Sequence, residues 1–256
     1  MINDLSHKQQ RVLFAKLAGL AYKDIKEARA SSKILGFTKT TLIDIEGAQV
    51  YVFSNKHDVA LACRGTEPTE MNDVYADLEI FKADSASGNK IHQGFKEEVD
   101  KIYDDVTKSL AQHKTKTLWG CGHSLGGAMI TILCQRIEYN LVQDVHTVFT
   151  FGSPRAGGPK FSKWCDEFLN HQRFVNNNDV VPCVPTVLRW RHTGDCYYIK
   201  STGKITQLSR WSTERIRDKG LSLLKTIVKG RLDFIADHNI NDYIMHLEND
   251  QKLENV

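Results

Sequence analysis

The chain has 256 residues, 41% of them hydrophobic and 25% charged, with a formal net charge of +3. That length suits one large α/β domain and is short for two, and a charge so small gives no argument for nucleic acid. Met1–Lys8 lacks a basic leader followed by an unbroken apolar core, and no apolar run approaches the roughly 18 residues of a membrane span. The six cysteines form no C-x-x-C pair; they read as free thiols, with Cys183 and Cys196, which flank a hairpin pattern, open to pairing. These features set a cytoplasmic location as the expectation.

Residues 5–35 carry two helix patterns, with Leu13, Leu17, Leu20 and Ala21 in helical spacing that continues through Ile25 and Ala28 to Leu35. They read as plain packing helices. From Leu42 the period falls to two. Ile43, Ile45, Ala48 and Val50 lead into Tyr51-Val52-Phe53, and a polar turn at Asn55-Lys56-His57 gives way to an apolar strand, Asp58–Cys63, that runs into Arg64-Gly65-Thr66. Residues 67–90 are polar and irregular, with an exposed loop expected from Asp84 to Lys90. An amphipathic helix from Phe95 to about residue 112 follows, with Phe95, Val99, Ile102, Val106 and Leu110 on one face.

A strand from Thr117, a helix to about residue 140, a strand over Val145–Phe151 and a helix over Phe161–Leu169 come next. Gln172–Asn176 reads as a short strand, residues 187–208 as a hairpin turning at Ser201-Thr202-Gly203, and about 213–232 and 239–250 as helices. This alternation predicts an α/β fold with a mostly parallel central sheet and helices on both faces. No repeat or linker divides it, so a single domain over residues 1–256 is expected.

The chemistry gathers at Gly122-His123-Ser124-Leu125-Gly126, a G-x-S-x-G pentapeptide between an apolar strand and an amphipathic helix. Glycines on either side let a serine sit on a sharp strand-to-helix turn with its hydroxyl projecting at the end of the sheet. The N–H groups of the following helix point at the same place, where an oxyanion could be held. His123 reads as structural, because adjacent residues on such a turn point apart.

A serine hydroxyl needs a base to take its proton, and the base needs an orienting acid. In this type of fold the chain order is Ser, acid, His. Asp179 follows the strand ending at Asn176 in a turn closed by Pro182, whereas Asp166 is on a helix and Asp195 in a hairpin. An Asx-turn role for Asp179 competes with catalysis. Of the ten histidines, only His192, His238 and His246 lie beyond Asp179. His192 is in strand sequence and His246 mid-helix; His238 lies between two helices, where a loop can bring it to the sheet edge. The oxyanion donors expected are the N–H of Leu125 and Thr66, with Asp77 either holding the Thr66 hydroxyl or ordering its loop.

With these residues in order, the chain resembles the class 3 (fungal-type) lipase family of the α/β-hydrolase superfamily. The resemblance runs from about residue 15 to 247. It is carried by Cys63-Arg64-Gly65-Thr66, Asp77-Leu78, Ile91–Phe95, Gly122–Ala128, Phe151-Gly152-Ser153-Pro154-Arg155-Ala156-Gly157, Asp179-Val180-Val181-Pro182 and Asp237-His238 with Tyr243. It implies an α/β-hydrolase fold, Ser124 as nucleophile, Asp179 as acid, His238 as base, Thr66 and Leu125 as oxyanion donors, and ester hydrolysis with no metal or cofactor. His192 matches a non-catalytic strand position. The implied partner is an acylglycerol or other ester substrate. Phospholipase A1 activity, or a lipase-like binding protein without turnover, is the alternative, and acyl transfer or thioester hydrolysis would use the same serine. Where the family carries an apolar lid helix, the lid-like segment 67–90 is polar here. Segment 209–232 has seven basic residues against two acidic and an apolar helical face, a pattern that could rest on a lipid surface.

Overall fold

The central strands are apolar on both sides, so their sheet has to be covered twice. Val50 and Val52 enter one hydrophobic core, and Tyr51 and Phe53, their alternates, enter the other. The computed structural model describes residues 1–65, 81–177, 179–185, 189–208 and 238–253. Thr66, Asp77, the lid-like segment up to residue 80, and the basic segment with its expected helix at 213–232 lie outside the described residues.

The strands of the main sheet are β1 (Lys39–Ile45), β2 (Ala48–Ser54), β3 (Asp58–Cys63), β6 (Thr117–His123), β7 (Val145–Phe151), β8 (His171–Asn176), β9 (Asp195–Ile199) and β10 (Ile205–Leu208). Their order is β1-β2-β3-β6-β7-β8-β9-β10. The run β3-β6-β7-β8-β9 pairs parallel. Antiparallel pairs, β1 with β2, β2 with β3 and β9 with β10, finish both edges. The sheet is thus mostly parallel with helices on both faces, as the alternation of elements implies.

One face is covered by α3 (Gln93–Leu110), α4 (Leu125–Tyr139) and α5 (Pro159–Phe168). Val99, Ile102 and Val106 meet Ile130, Leu133, Ile137 and Phe161 there. The other face is covered by α1 (His7–Leu20), α2 (Ile25–Ile34) and α6 (Ile240–Lys252). Phe14 of α1 stacks on Phe149 of β7 at 4.4 Å between ring centroids. The helix starts have identifiable causes. Ser6 and Gln9 form a capping box at α1, and the Asp24 carboxylate accepts from the N–H groups of Lys26 and Glu27 at α2. No described helix is long and apolar enough to cross a membrane.

The expected exposed loop from Asp84 to Lys90 is present, with Asp84, Ala86, Gly88 and Lys90 exposed, and it forms the turn of a hairpin that was not foreseen. β4 (Lys82–Asp84) and β5 (Lys90–His92) pair antiparallel on either side of it, and Ser85 is buried in the turn, accepting from Asn89 N–H. Three-residue strands bearing Lys82, Asp84 and Lys90 give no apolar alternation to detect. All six cysteines are free thiols, Cys183 and Cys196 included.

One buried group in β8 makes the fold acid-sensitive. His171 contacts Thr150 Oγ1 at 2.8 Å through Nε2 and Thr193 Oγ1 at 2.7 Å through Nδ1. Burial, and then the positive charge of Arg173, push its pKa down from 6.5 to about 3. A neutral imidazole in the folded state gives stability that is whole above pH 6.5 and is lost as pH falls toward 3, because the unfolded chain takes up the proton first. Between pH 6.5 and 4.5 this one group removes roughly 2–3 kcal/mol. Urea unfolding at the two pH values is expected to show a decline smaller by that amount in His171→Gln than in the wild type. An equal decline in both proteins would remove His171 as the cause.

Candidate active site

The turn between β6 and α4 holds the candidate nucleophile under backbone strain. Ser124 has φ 59° and ψ −134°, a conformation that costs a non-glycine residue about 1–3 kcal/mol. The strain is held from both sides: Ser124 N–H donates to Phe151 C=O at 3.0 Å, and Gly127 N–H donates to Ser124 C=O at 2.9 Å. The flanking glycines are required by close approach. A Cβ on Gly122 would lie 2.2 Å from the Gly126 carbonyl oxygen, and one on Gly126 would lie 2.2 Å from that of Cys63. Leu125 opens α4 directly after the serine, so its N–H belongs to the free first turn of that helix.

The candidate acid and base meet beyond the ends of β7 and β8. Asp179 Oδ2 accepts from His238 Nδ1–H at 2.8 Å, with both side chains almost wholly buried. The Oδ1 atom accepts from Val181 N–H at 2.9 Å. The Asx turn that competed with catalysis for Asp179 therefore coexists with the histidine contact, one oxygen serving each. Gly152 makes room for the pair: its φ is +58°, and a Cβ there would lie 2.6 Å from Asp179 Oδ2 and 2.8 Å from His238 Cε1. The other ring nitrogen, His238 Nε2, is buried without a hydrogen-bond partner in the described structure. Ser124, Asp179 and His238 are thus all buried at the same edge of the sheet. His192 stands apart, with its Nε2 at 2.6 Å from the Pro182 carbonyl.

Sequence reasoning named Tyr243 only as a marker of resemblance; the structure shows what it touches. Its hydroxyl donates to Asp179 Oδ2 at 2.5 Å and accepts from Asn176 N–H at 3.0 Å. Burial, reinforced by the Asp179 charge, raises its pKa well above the ordinary phenol range, so it stays a donor to the carboxylate at any working pH. Helix α6 is held in place to present it. Lys16 pairs with Glu248 at 2.6 Å and Lys8 with Asp250 at 3.3 Å, and Gly19 of α1 admits Ile240 and Ile244 against its backbone. Tyr243→Phe removes the hydroxyl that bonds Asp179 Oδ2 and Asn176 N–H. It is expected to cost about 1–3 kcal/mol in thermal unfolding and to lower kcat while retaining measurable turnover.

His123, expected to be structural, is buried and lies against the candidate base, its ring 4.5 Å from that of His238. The opening helices do more than pack: the turn after α1 brings the Tyr22 hydroxyl to 2.9 Å from His123 Nδ1. Neither contact has a signal in local sequence. Among the described residues, no group of His, Cys, Asp and Glu stands where it could hold a metal ion.

A mostly parallel sheet, a strained serine at a strand-to-helix turn and an Asp–His pair beyond later strands define an α/β-hydrolase fold. The chain belongs to the class 3 lipase family, matched over residues 60–189 by the description "Lipase (class 3)". It is 31% identical over 156 residues to the toxin TseL of Vibrio cholerae serotype O1, a match covering 61% of this chain and 24% of TseL. It is 27% identical over 156 residues to the secreted mono- and diacylglycerol lipase LIP1 of Malassezia globosa, covering 55% of this chain and 51% of LIP1. The matches thus span a quarter to a half of those relatives' length. The solved structure of lipase II from Rhizopus niveus superposes with a TM-score of 0.71 at 24% identity, covering 90% of this chain and 92% of that one, which shows the shared fold.

These relatives correct the expected cytoplasmic location. LIP1 is a secreted lipase by name, so a cytoplasmic location does not follow for this chain. The free thiols had suggested a reducing compartment, but five of the six are buried, where a thiol stays reduced in any compartment for want of access.

Proposed function

We propose that this chain is a serine carboxylic-ester hydrolase that cleaves acylglycerols through an acyl-enzyme. The observation that carries the proposal is the buried contact of 2.8 Å between Asp179 and His238 beside a serine held at φ 59°. Ser124 attacks the ester carbonyl as His238 Nε2 takes its proton, and the Asp179 carboxylate stabilises the imidazolium. The Leu125 N–H, with Thr66 as second donor, holds the oxyanion. His238 returns the proton to the leaving alcohol. Water, deprotonated by the same nitrogen, then releases the acid and restores the serine.

Acylglycerols are favoured as substrates because the family is named for lipases and LIP1 for mono- and diacylglycerols. A peripheral contact with a lipid surface, through the basic segment 209–232, is part of the same proposal. Initial rates on p-nitrophenyl esters from acetate to palmitate, and on mono-, di- and triacylglycerols, test it. Turnover on glycerol esters that rises with chain length supports the reading. Turnover confined to the sn-1 position of phospholipids would replace the substrate by phospholipid, and a folded protein inert on all of them would leave a binding protein.

A further inference from the structure

Two side chains beside the Asp179–His238 pair take no part in the proton transfers above. The Tyr22 hydroxyl lies 2.9 Å from His123 Nδ1 and 3.4 Å from the His123 carbonyl oxygen. A Cβ placed on Gly65 would sit 2.5 Å from that hydroxyl and 3.2 Å from Ser124 Cβ, so the phenol reaches the corner of the nucleophile. The His123 ring lies on that of His238 with planes inclined by 30°, and Tyr243 meets it edge-on at 6.0 Å. His123 is 2% exposed, and its Nε2 has no hydrogen-bond partner in the described structure.

We propose that His123 is a positioning residue, a neutral imidazole face that Tyr22 holds against His238 and that supports the imidazolium formed when the base takes the Ser124 proton. The proposal rests on His238 being that base. A ring stacked this closely must be neutral during the transfer, because two imidazolium ions in contact repel with no water between them. Burial first, and then the neighbouring His238 charge, keep the His123 pKa well below its ordinary value. Tyr22 anchors the ring, its hydroxyl hydrogen-bonded to His123 Nδ1 at 2.9 Å and 3.4 Å from the His123 carbonyl oxygen. The face of a neutral aromatic ring then attracts the cation beside it.

Among the described residues, Asp179 from the loop after β8 bonds to His238 and His123 of the β6–α4 turn stacks on it, while Tyr243 from α6 reaches the pair through Asp179 and His123. Arg173 of β8 adds a positive charge within electrostatic reach of Tyr243. Asp179 is the only anion in this set, so the stacked ring is a second, uncharged support for the imidazolium.

The test is the pH dependence of kcat/KM on a soluble p-nitrophenyl ester, with melting temperatures, for wild type, Tyr22→Phe, His123→Leu and His123→Phe. If the stack favours the charged base, losing it moves the acid limb of the profile to lower pH. His123→Leu is expected to lower kcat about three- to tenfold with little change in KM, and to move the acid limb down by about half a unit. His123→Phe restores an aromatic face and returns the limb to the wild-type position. Tyr22→Phe moves it down by less, and decides the matter alone if His123→Leu does not fold. A limb unmoved in every variant that folds would overturn the proposal, whatever the change in rate or stability. Should His238→Ala keep wild-type turnover, the base itself would be misassigned, a separate failure.

Discussion

Asp179→Asn is expected to lower kcat by about 10⁴ while the fold stays intact. The carboxylate has three donors around it: His238 Nδ1–H, the Tyr243 hydroxyl and Val181 N–H. An amide has the same shape but only one acceptor oxygen. If that oxygen stays with Tyr243 and His238, the imidazolium loses its counter-charge. If the amide turns, its NH₂ faces His238 Nδ1 and forces the proton to Nε2, the atom that must receive the serine proton. Either outcome removes the base. Stopped assays beside circular dichroism separate this loss from unfolding, and an asparagine variant within tenfold of wild type would show that Asp179 is an Asx-turn residue only.

Ser124→Ala is expected to have a larger effect, about 10⁶ in kcat, because no acyl-enzyme can form. Stability should change little. The left-handed backbone at φ 59° is as strained for alanine as for serine. The Phe151 carbonyl and Gly127 N–H still find the same backbone groups at residue 124. The turn therefore survives the loss of its hydroxyl, which makes this variant a clean blank for every rate above. Initial rates on tributyrin, corrected with a buffer blank, check it.

Much of this was legible in the sequence because it is local. Val50 to Phe53 alternate between two cores, and Gly122 and Gly126 flank a serine at the only kind of turn that needs both. The pairing of Asp179 with His238 was expected from chain order and the elements they follow, and the 2.8 Å contact shows that the two meet. What was hidden is long-range. Tyr22 and His123 are 101 positions apart, and Tyr243 and Asp179 are 64 apart. No periodicity records a hydrogen bond closed by two packed helices. The β4–β5 hairpin was hidden for a different reason: its pairing satisfies backbone groups, while its side chains are those of a solvated loop. Location was misjudged because buried thiols carry no information about the compartment around them.

A Ser124 nucleophile activated by His238 should be open to covalent labelling that depends on both residues. The most direct measurement is intact-mass analysis and peptide mapping after exposure to a p-nitrophenyl alkylphosphonate, for wild type, Ser124→Ala and His238→Ala. One phosphonyl group per wild-type chain is expected, mapped to Ser124, with no adduct in Ser124→Ala and a strongly slowed one in His238→Ala. An adduct on another residue, or labelling of Ser124 at the wild-type rate without His238, would contradict it.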